Sequence, residues 1–156
     1  MRSVDDARVN TPSGQDGPHP ALVELSEILS GTWNVEGPDI SGRAEYGMSQ
    51  RGCLVAYVDF QVAGSKMRVI QHITYDPDRR TLQARYIDTM GDEATYTWVL
   101  EGRTIRVSLG EVDSTTYFEA TLNENRSQYV GAWHYPDVDP AEQTETILYT
   151  RVADSK

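Results

Sequence analysis

The sequence predicts an all-β chain: an up-and-down antiparallel barrel of about ten strands, preceded by one short N-terminal helix. Three observations carry this. After Gly31 the apolar residues tend to recur at every second position, the period of a half-buried strand. The runs are separated by turn-forming clusters, among them Ala63-Gly64-Ser65, Asp76-Pro77-Asp78, Met90-Gly91-Asp92, Glu101-Gly102-Arg103 and Asn123-Glu124-Asn125, several short enough for hairpins. No crossover helix interrupts them, and so long a meander must hide its edge strands. Closure into a barrel does this most completely; a two-sheet sandwich is the competing arrangement.

Each element has a local cause. Leu22, Leu25, Ile28 and Leu29 fall on one helical face, with Pro20 at the start and Gly31 just past the end, so a helix is expected over 21–29. A helix this short is unstable alone in water and must pack on something, here one end of the barrel. Strands are expected at 32–36, 43–50, 54–62, 66–75, 82–88, 94–100, 104–109, 115–122, 128–134 and 142–151. Alternation is clearest in three. Ile105, Val107 and Leu109 oppose Arg106 and Ser108; Tyr96, Trp98 and Leu100 oppose Thr95 and Thr97; Tyr129, Gly131, Trp133 and Tyr135 oppose Val130, Ala132 and His134. In 66–75 the faces are mixed: Gln71 shares one with Met67, Val69, Ile73 and Tyr75, while Ile70 shares the other with Arg68, His72 and Thr74. Parity matters because a one-residue shift exchanges the inner and outer walls.

Residues 1–19 are polar and rich in Gly, Pro, Asp and Ser, and are expected to form a disordered tail; residues 20–152 form the single domain that a chain of 156 residues suggests. The formal charge of −10 and the lack of a basic face argue against a nucleic-acid partner and against an anionic membrane surface. The single cysteine, Cys53, excludes an intrachain disulfide and, lying in an apolar run, is expected as a buried, inert thiol. There is no cationic-then-apolar leader and no apolar run of membrane-spanning length, so a cytoplasmic location is expected. Asn125-Arg126-Ser127 spells a glycosylation sequon but reads as a turn. No Gly-rich phosphate loop, Gly-x-Ser-x-Gly elbow or His-Glu-x-x-His motif occurs.

Gly31-Thr32-Trp33 opens the first strand after the helix, and Tyr149-Thr150-Arg151 closes the last. This resembles the calycin arrangement of lipocalins and fatty-acid-binding proteins. The resemblance implies a lipocalin-like barrel in which Trp33 packs at the closed end with Arg151 stacked across its indole, a cation–π contact. More narrowly, the chain resembles a bacterial calycin-like family of unknown function, common in actinobacteria. That likeness is carried by Pro18-His19-Pro20-Ala21-Leu22, the run from Leu29 to Pro38, Ile73-Thr74-Tyr75-Asp76-Pro77, Tyr86-Ile87-Asp88-Thr89-Met90 and the Tyr149-Thr150-Arg151 end. It implies a fold and supplies no reaction.

The aromatic composition is the strongest functional hint: nine Tyr and three Trp against two Phe. Such residues have an apolar body and a polar tip, which suits a cavity wall, although they also favour strands for their own sake. The residues expected to line a cavity are Tyr57, His72, Tyr86, Trp98, Tyr117, Glu119, Tyr129 and Trp133, with Gly131 leaving space beside the last two. If Tyr57, Asp59, Tyr117 and Glu119 all face inward, the interior holds two phenols and two acids. His72 and His134 are the histidines within strands; no ligand spacing points to a metal, and no cofactor is expected. His19, in the tail, is a poor candidate. Two readings remain open: a binding protein for a small, largely apolar molecule, and a cofactor-free cyclase or isomerase of a bacterial biosynthetic pathway that shapes its substrate in the barrel. A homodimer is possible on either.

Overall fold

The computed structural model describes residues 18–137, 139 and 146–152. Helix α1 (Pro20–Leu29) leads into ten strands: β1 (Gly31–Glu36), β2 (Ile40–Met48), β3 (Leu54–Val62), β4 (Ser65–Asp76), β5 (Thr81–Asp88), β6 (Glu93–Glu101), β7 (Thr104–Leu109), β8 (Tyr117–Leu122), β9 (Gln128–His134) and β10 (Ile147–Arg151). Each strand pairs antiparallel with the next, and β1 also pairs with β10, so the barrel is closed. The barrel architecture read from the sequence is the one observed, and the sandwich is not. Residues 1–17, where most of the expected tail falls, and 142–145, where the last strand was expected to start, lie outside the described residues.

The helix seals one end. Leu22, Leu25, Ile28 and Leu29 are all buried and join Leu54, Ile73 and Leu122 in one apolar cluster. His19 is not a loose tail residue: it caps the helix, its Nδ1 accepting the Ala21 N–H at 3.0 Å while its ring stacks on Tyr75 at 3.6 Å. Trp33 is completely buried beneath the helix, and its Nε1 donates to the Leu29 carbonyl at 2.8 Å. The Arg151 guanidinium lies 4.3 Å from the centre of the Trp33 ring and donates to the carbonyls of Ser30, at 2.7 Å, and Ile28. These are orphan acceptors at the helix C-terminus, and a cation there also meets the negative end of the helix dipole. Gly31 makes the close approach possible: its φ is +118°, and a Cβ would stand 3.1 Å from the Arg151 Nη1.

Alternation then divides the walls. On β3 the inward set is Leu54, Ala56, Val58 and Phe60; on β8 it is Phe118, Ala120 and Leu122. The stretch after β7 folds back along the outer wall. Thr97 Oγ1 donates to the Gly110 carbonyl at 2.6 Å, Ser108 Oγ donates to the Val112 carbonyl at 3.4 Å, and Arg79 pairs with Glu111 at 3.3 Å. Thr97 and Ser108 are therefore fully buried although they point away from the barrel axis. Cys53 is only half-buried, not buried as expected, because it precedes β3 at the rim; burial still raises its thiol pKa.

Candidate binding cavity

The end of the barrel opposite α1 is open, and a cavity of about 380 Å³ runs down from it. Its floor is a cluster of phenols above Trp33. Tyr46 comes from β2, Tyr129 from β9 and Tyr149 from β10. Tyr129 packs edge-on to Trp33 at 5.0 Å and stacks on Tyr149 at 4.3 Å, and the hydroxyls of Tyr46 and Tyr129 are hydrogen-bonded to each other. The waist is apolar, with Val58, Val69, Ile105, Val107 and Phe118. Trp98 joins them, its Nε1 donating to Gln71 Oε1 at 3.3 Å. Nearer the mouth stand Tyr86, Tyr96, Trp133 and Tyr135, with Asp39 and Ile40 at the rim.

Four of the residues expected on the cavity wall are there: Tyr86, Trp98, Tyr129 and Trp133. The other four are on the outside, and each is a parity error. Tyr57 is 56% exposed, because Ala56 and Val58 take the inner wall of β3. His72 is exposed, because Gln71 and Ile73 face inward on β4. Tyr117 and Glu119 flank the inward Phe118 and form an outer-wall chain instead. Tyr117 stacks on His134 at 4.8 Å, Arg106 lies 3.9 Å from the Tyr117 ring centre, and Arg106 pairs with Glu119 at 3.3 Å. Asp59 likewise points outward, opposite Arg68. Asp59 and Glu119 are therefore not the interior acids expected. Gly131 leaves no gap either: a Cβ there would meet the Glu119 carbonyl oxygen at 2.5 Å and Phe118 Cζ at 2.7 Å.

Tyr46, Phe60, Gln71, Phe118 and Tyr149 also line the cavity and were not among the expected residues, while Tyr96 lines it on the face it shares with Trp98. For Tyr46, Phe60, Tyr96 and Phe118 the signal was present, since each alternates with polar or small neighbours; for Gln71 and Tyr149 the flanking residues are mixed and gave none.

Ionisation behaviour sets the chemistry. Burial, chiefly, raises the phenols of Tyr46, Tyr86, Tyr96, Tyr129 and Tyr149 above the ordinary range, so they remain neutral hydrogen-bonding groups at physiological pH. Asp88 closes β5 behind Tyr86, whose hydroxyl donates to Asp88 Oδ2 at 2.6 Å. Burial alone would raise the Asp88 pKa, but that bond and backbone N–H groups from Asp92, Met90 and Gly91 outweigh it and hold the carboxyl below its usual range. Among the described residues that line the cavity, no Lys, Arg or His occurs and Asp39 is the one charged residue. No group of three or more His, Cys, Asp or Glu is placed to hold a metal among the described residues. No helix among them is long and apolar enough to cross a membrane. No protein-family model matches the chain, and no curated protein matches it.

Proposed function

We propose that the barrel binds a small, largely apolar molecule in this cavity, with phenols and Gln71 as its polar partners. One observation carries the reading: an open-ended cavity of about 380 Å³ walled by aromatic and aliphatic side chains with a few convergent polar atoms. Ligand sites have this composition and range over roughly 300–1,000 Å³. The likeness to calycins supports it, since a one-ended barrel is that superfamily's container. So does the polarity of the outer wall, where Arg43, Glu45, Asp59, Arg68 and Arg85 are exposed, which suits a barrel that works in water.

The test is titration with N-phenylnaphthylamine, an uncharged fluorescent probe, read through its own emission and through quenching of Trp98 and Trp133. Saturable binding at one site per chain is expected. Val107→Trp, which fills the waist, should abolish binding while the protein still unfolds cooperatively. Linear, non-saturating uptake, or equal affinity in the folded Val107→Trp variant, would refute it.

A further inference from the structure

The mouth half of the cavity has a chemistry of its own. Tyr86 and Tyr96 have ring centres 5.5 Å apart at 73°. Tyr96 and Trp133 follow at 6.0 Å and 56°, and Trp133 and Tyr135 at 6.4 Å. All four line the cavity. Trp133 and Tyr135 are nearly parallel, at 18°, but Tyr86, Tyr96 and Trp133 are inclined to one another and present their electron-rich faces from more than one direction. Behind the first of them stands Asp88, ionised and joined to the Tyr86 hydroxyl.

On the proposal that the cavity binds a small molecule, we infer that its occupant is an organic cation: an ammonium group on an apolar body, with the ammonium seated among Tyr86, Tyr96, Trp133 and Tyr135. A cation over aromatic faces is attracted by the ring quadrupoles, and more strongly where water is excluded. Hydrogen-bonding of Tyr86 to a carboxylate makes its ring more electron-rich. An anionic ligand meets the opposite environment, because the cavity wall offers it no cation among the described residues and sets Asp39 at its rim. The Arg151 guanidinium below the floor is committed to Trp33 and to the Ser30 and Ile28 carbonyls. The same potential acts on the protein's own groups, since the Asp88 charge adds to burial in raising Tyr96. The apolar body of the ligand would lie in the aliphatic waist, and the floor phenols would meet its far end.

Three probes of one shape separate the possibilities: naphthylmethyl-trimethylammonium, naphthylmethanol and naphthylacetate, each titrated by calorimetry into the full chain. The ammonium probe should bind at least about tenfold more tightly than the alcohol, and the carboxylate should bind most weakly. Asp88→Asn and Tyr96→Leu should each cut the ratio of ammonium to alcohol affinity severalfold, and an unchanged ratio in both would overturn the inference. Two variants are used because Asp88 also accepts from the Met90 and Asp92 N–H groups, and its replacement alone could disturb the turn. Alcohol binding equal to or tighter than ammonium binding overturns this inference and leaves the cavity reading standing, as does carboxylate binding tighter than the alcohol's. Failure of all three probes to bind removes both.

Discussion

Trp33 and Arg151 should be energetically coupled through the end of the helix. Trp33 is wholly buried, and truncating a buried Trp to Ala costs about 3–5 kcal/mol. The more informative change is Trp33→Phe, which keeps most of the apolar area but removes the donor to the Leu29 carbonyl. A buried acceptor left without its partner costs about 1–3 kcal/mol. Arg151→Lys keeps the charge, yet a single ammonium cannot serve the Ser30 and Ile28 carbonyls and cover the indole face together. Each charge-assisted bond is worth about 1.5–3 kcal/mol, so a loss of about 2 kcal/mol is expected. Both side chains hold one helix terminus, so each loses part of its value once the other is gone. In a double-mutant cycle by urea unfolding, the double variant should be less destabilised than the sum of the singles by at least about 1 kcal/mol. Agreement with the sum to within about 0.5 kcal/mol would show that the pair acts as two independent contacts and would refute the reasoning.

Gly131→Ala should destabilise the barrel by about 1–3 kcal/mol through overpacking against the Glu119 carbonyl and Phe118, without weakening binding of N-phenylnaphthylamine more than about twofold; a neutral effect on thermal unfolding would mean that the β8–β9 approach is slack. Asp88 has a folded pKa below its unfolded value, which is near 3.9, so its contribution is present above that value and is lost as pH falls through the folded one. Asp88→Asn should therefore make the acid limb of stability against pH shallower, and an unchanged limb would count against the bonding at β5. The raised phenols of Tyr46, Tyr86, Tyr96, Tyr129 and Tyr149 act in the other direction. Their contribution is complete below the unfolded value of about 10 and is lost as pH rises through the folded ones. Phenolate absorbance should thus continue to grow through alkaline unfolding, and ionisation of all nine tyrosines in the still-folded protein would refute the burial of the floor.

The strands were legible because turn chemistry and period two agreed along the chain: the expected bounds of 54–62, 104–109 and 128–134 are those of β3, β7 and β9. The closed end was legible for a different reason. Gly31, Trp33 and Arg151 are a set whose geometry does not depend on the parity of the strands between them. The cavity wall was half legible. On β5 and β6 the aromatic residues and the aliphatic ones share a face, so either criterion selects Tyr86 and Trp98, while on β9 the aromatic face of Tyr129 and Trp133 is the inward one and Val130 is exposed. On β3 and β8 the two criteria conflict. Tyr57 and Tyr117 sit opposite Val58 and Phe118, and the aliphatic face is the one buried, because Asp59 and Glu119 share the tyrosine side and could enter the barrel only unpaired. Register completes the assignment: Tyr57 is paired with Glu45 and Ile70, both of them exposed. Single strands do not contain that information; their neighbours do.

The two halves of the interior differ in residue type, and the difference has a physical basis. The sealed end is built from Leu22, Leu25, Ile28, Leu29, Leu54, Ile73 and Leu122, side chains that fill space and carry no polar atom needing a partner. The open half is built from rings with polar tips: six of the nine tyrosines, Tyr46, Tyr86, Tyr96, Tyr129, Tyr135 and Tyr149, line the cavity. A phenol in a filled core must find a partner inside the protein or lose stability. The Tyr46–Tyr129 and Tyr86–Asp88 bonds meet that requirement in part. The remaining hydroxyls are tolerable where water or a ligand can reach them. The excess of Tyr over Phe therefore belongs to the half of the barrel that the protein leaves unfilled, while the helix, Trp33 and Arg151 hold the other half shut. On the proposed reading, stability and binding fall at opposite ends of the same ten strands, and a change at one end can be read without rewriting the other.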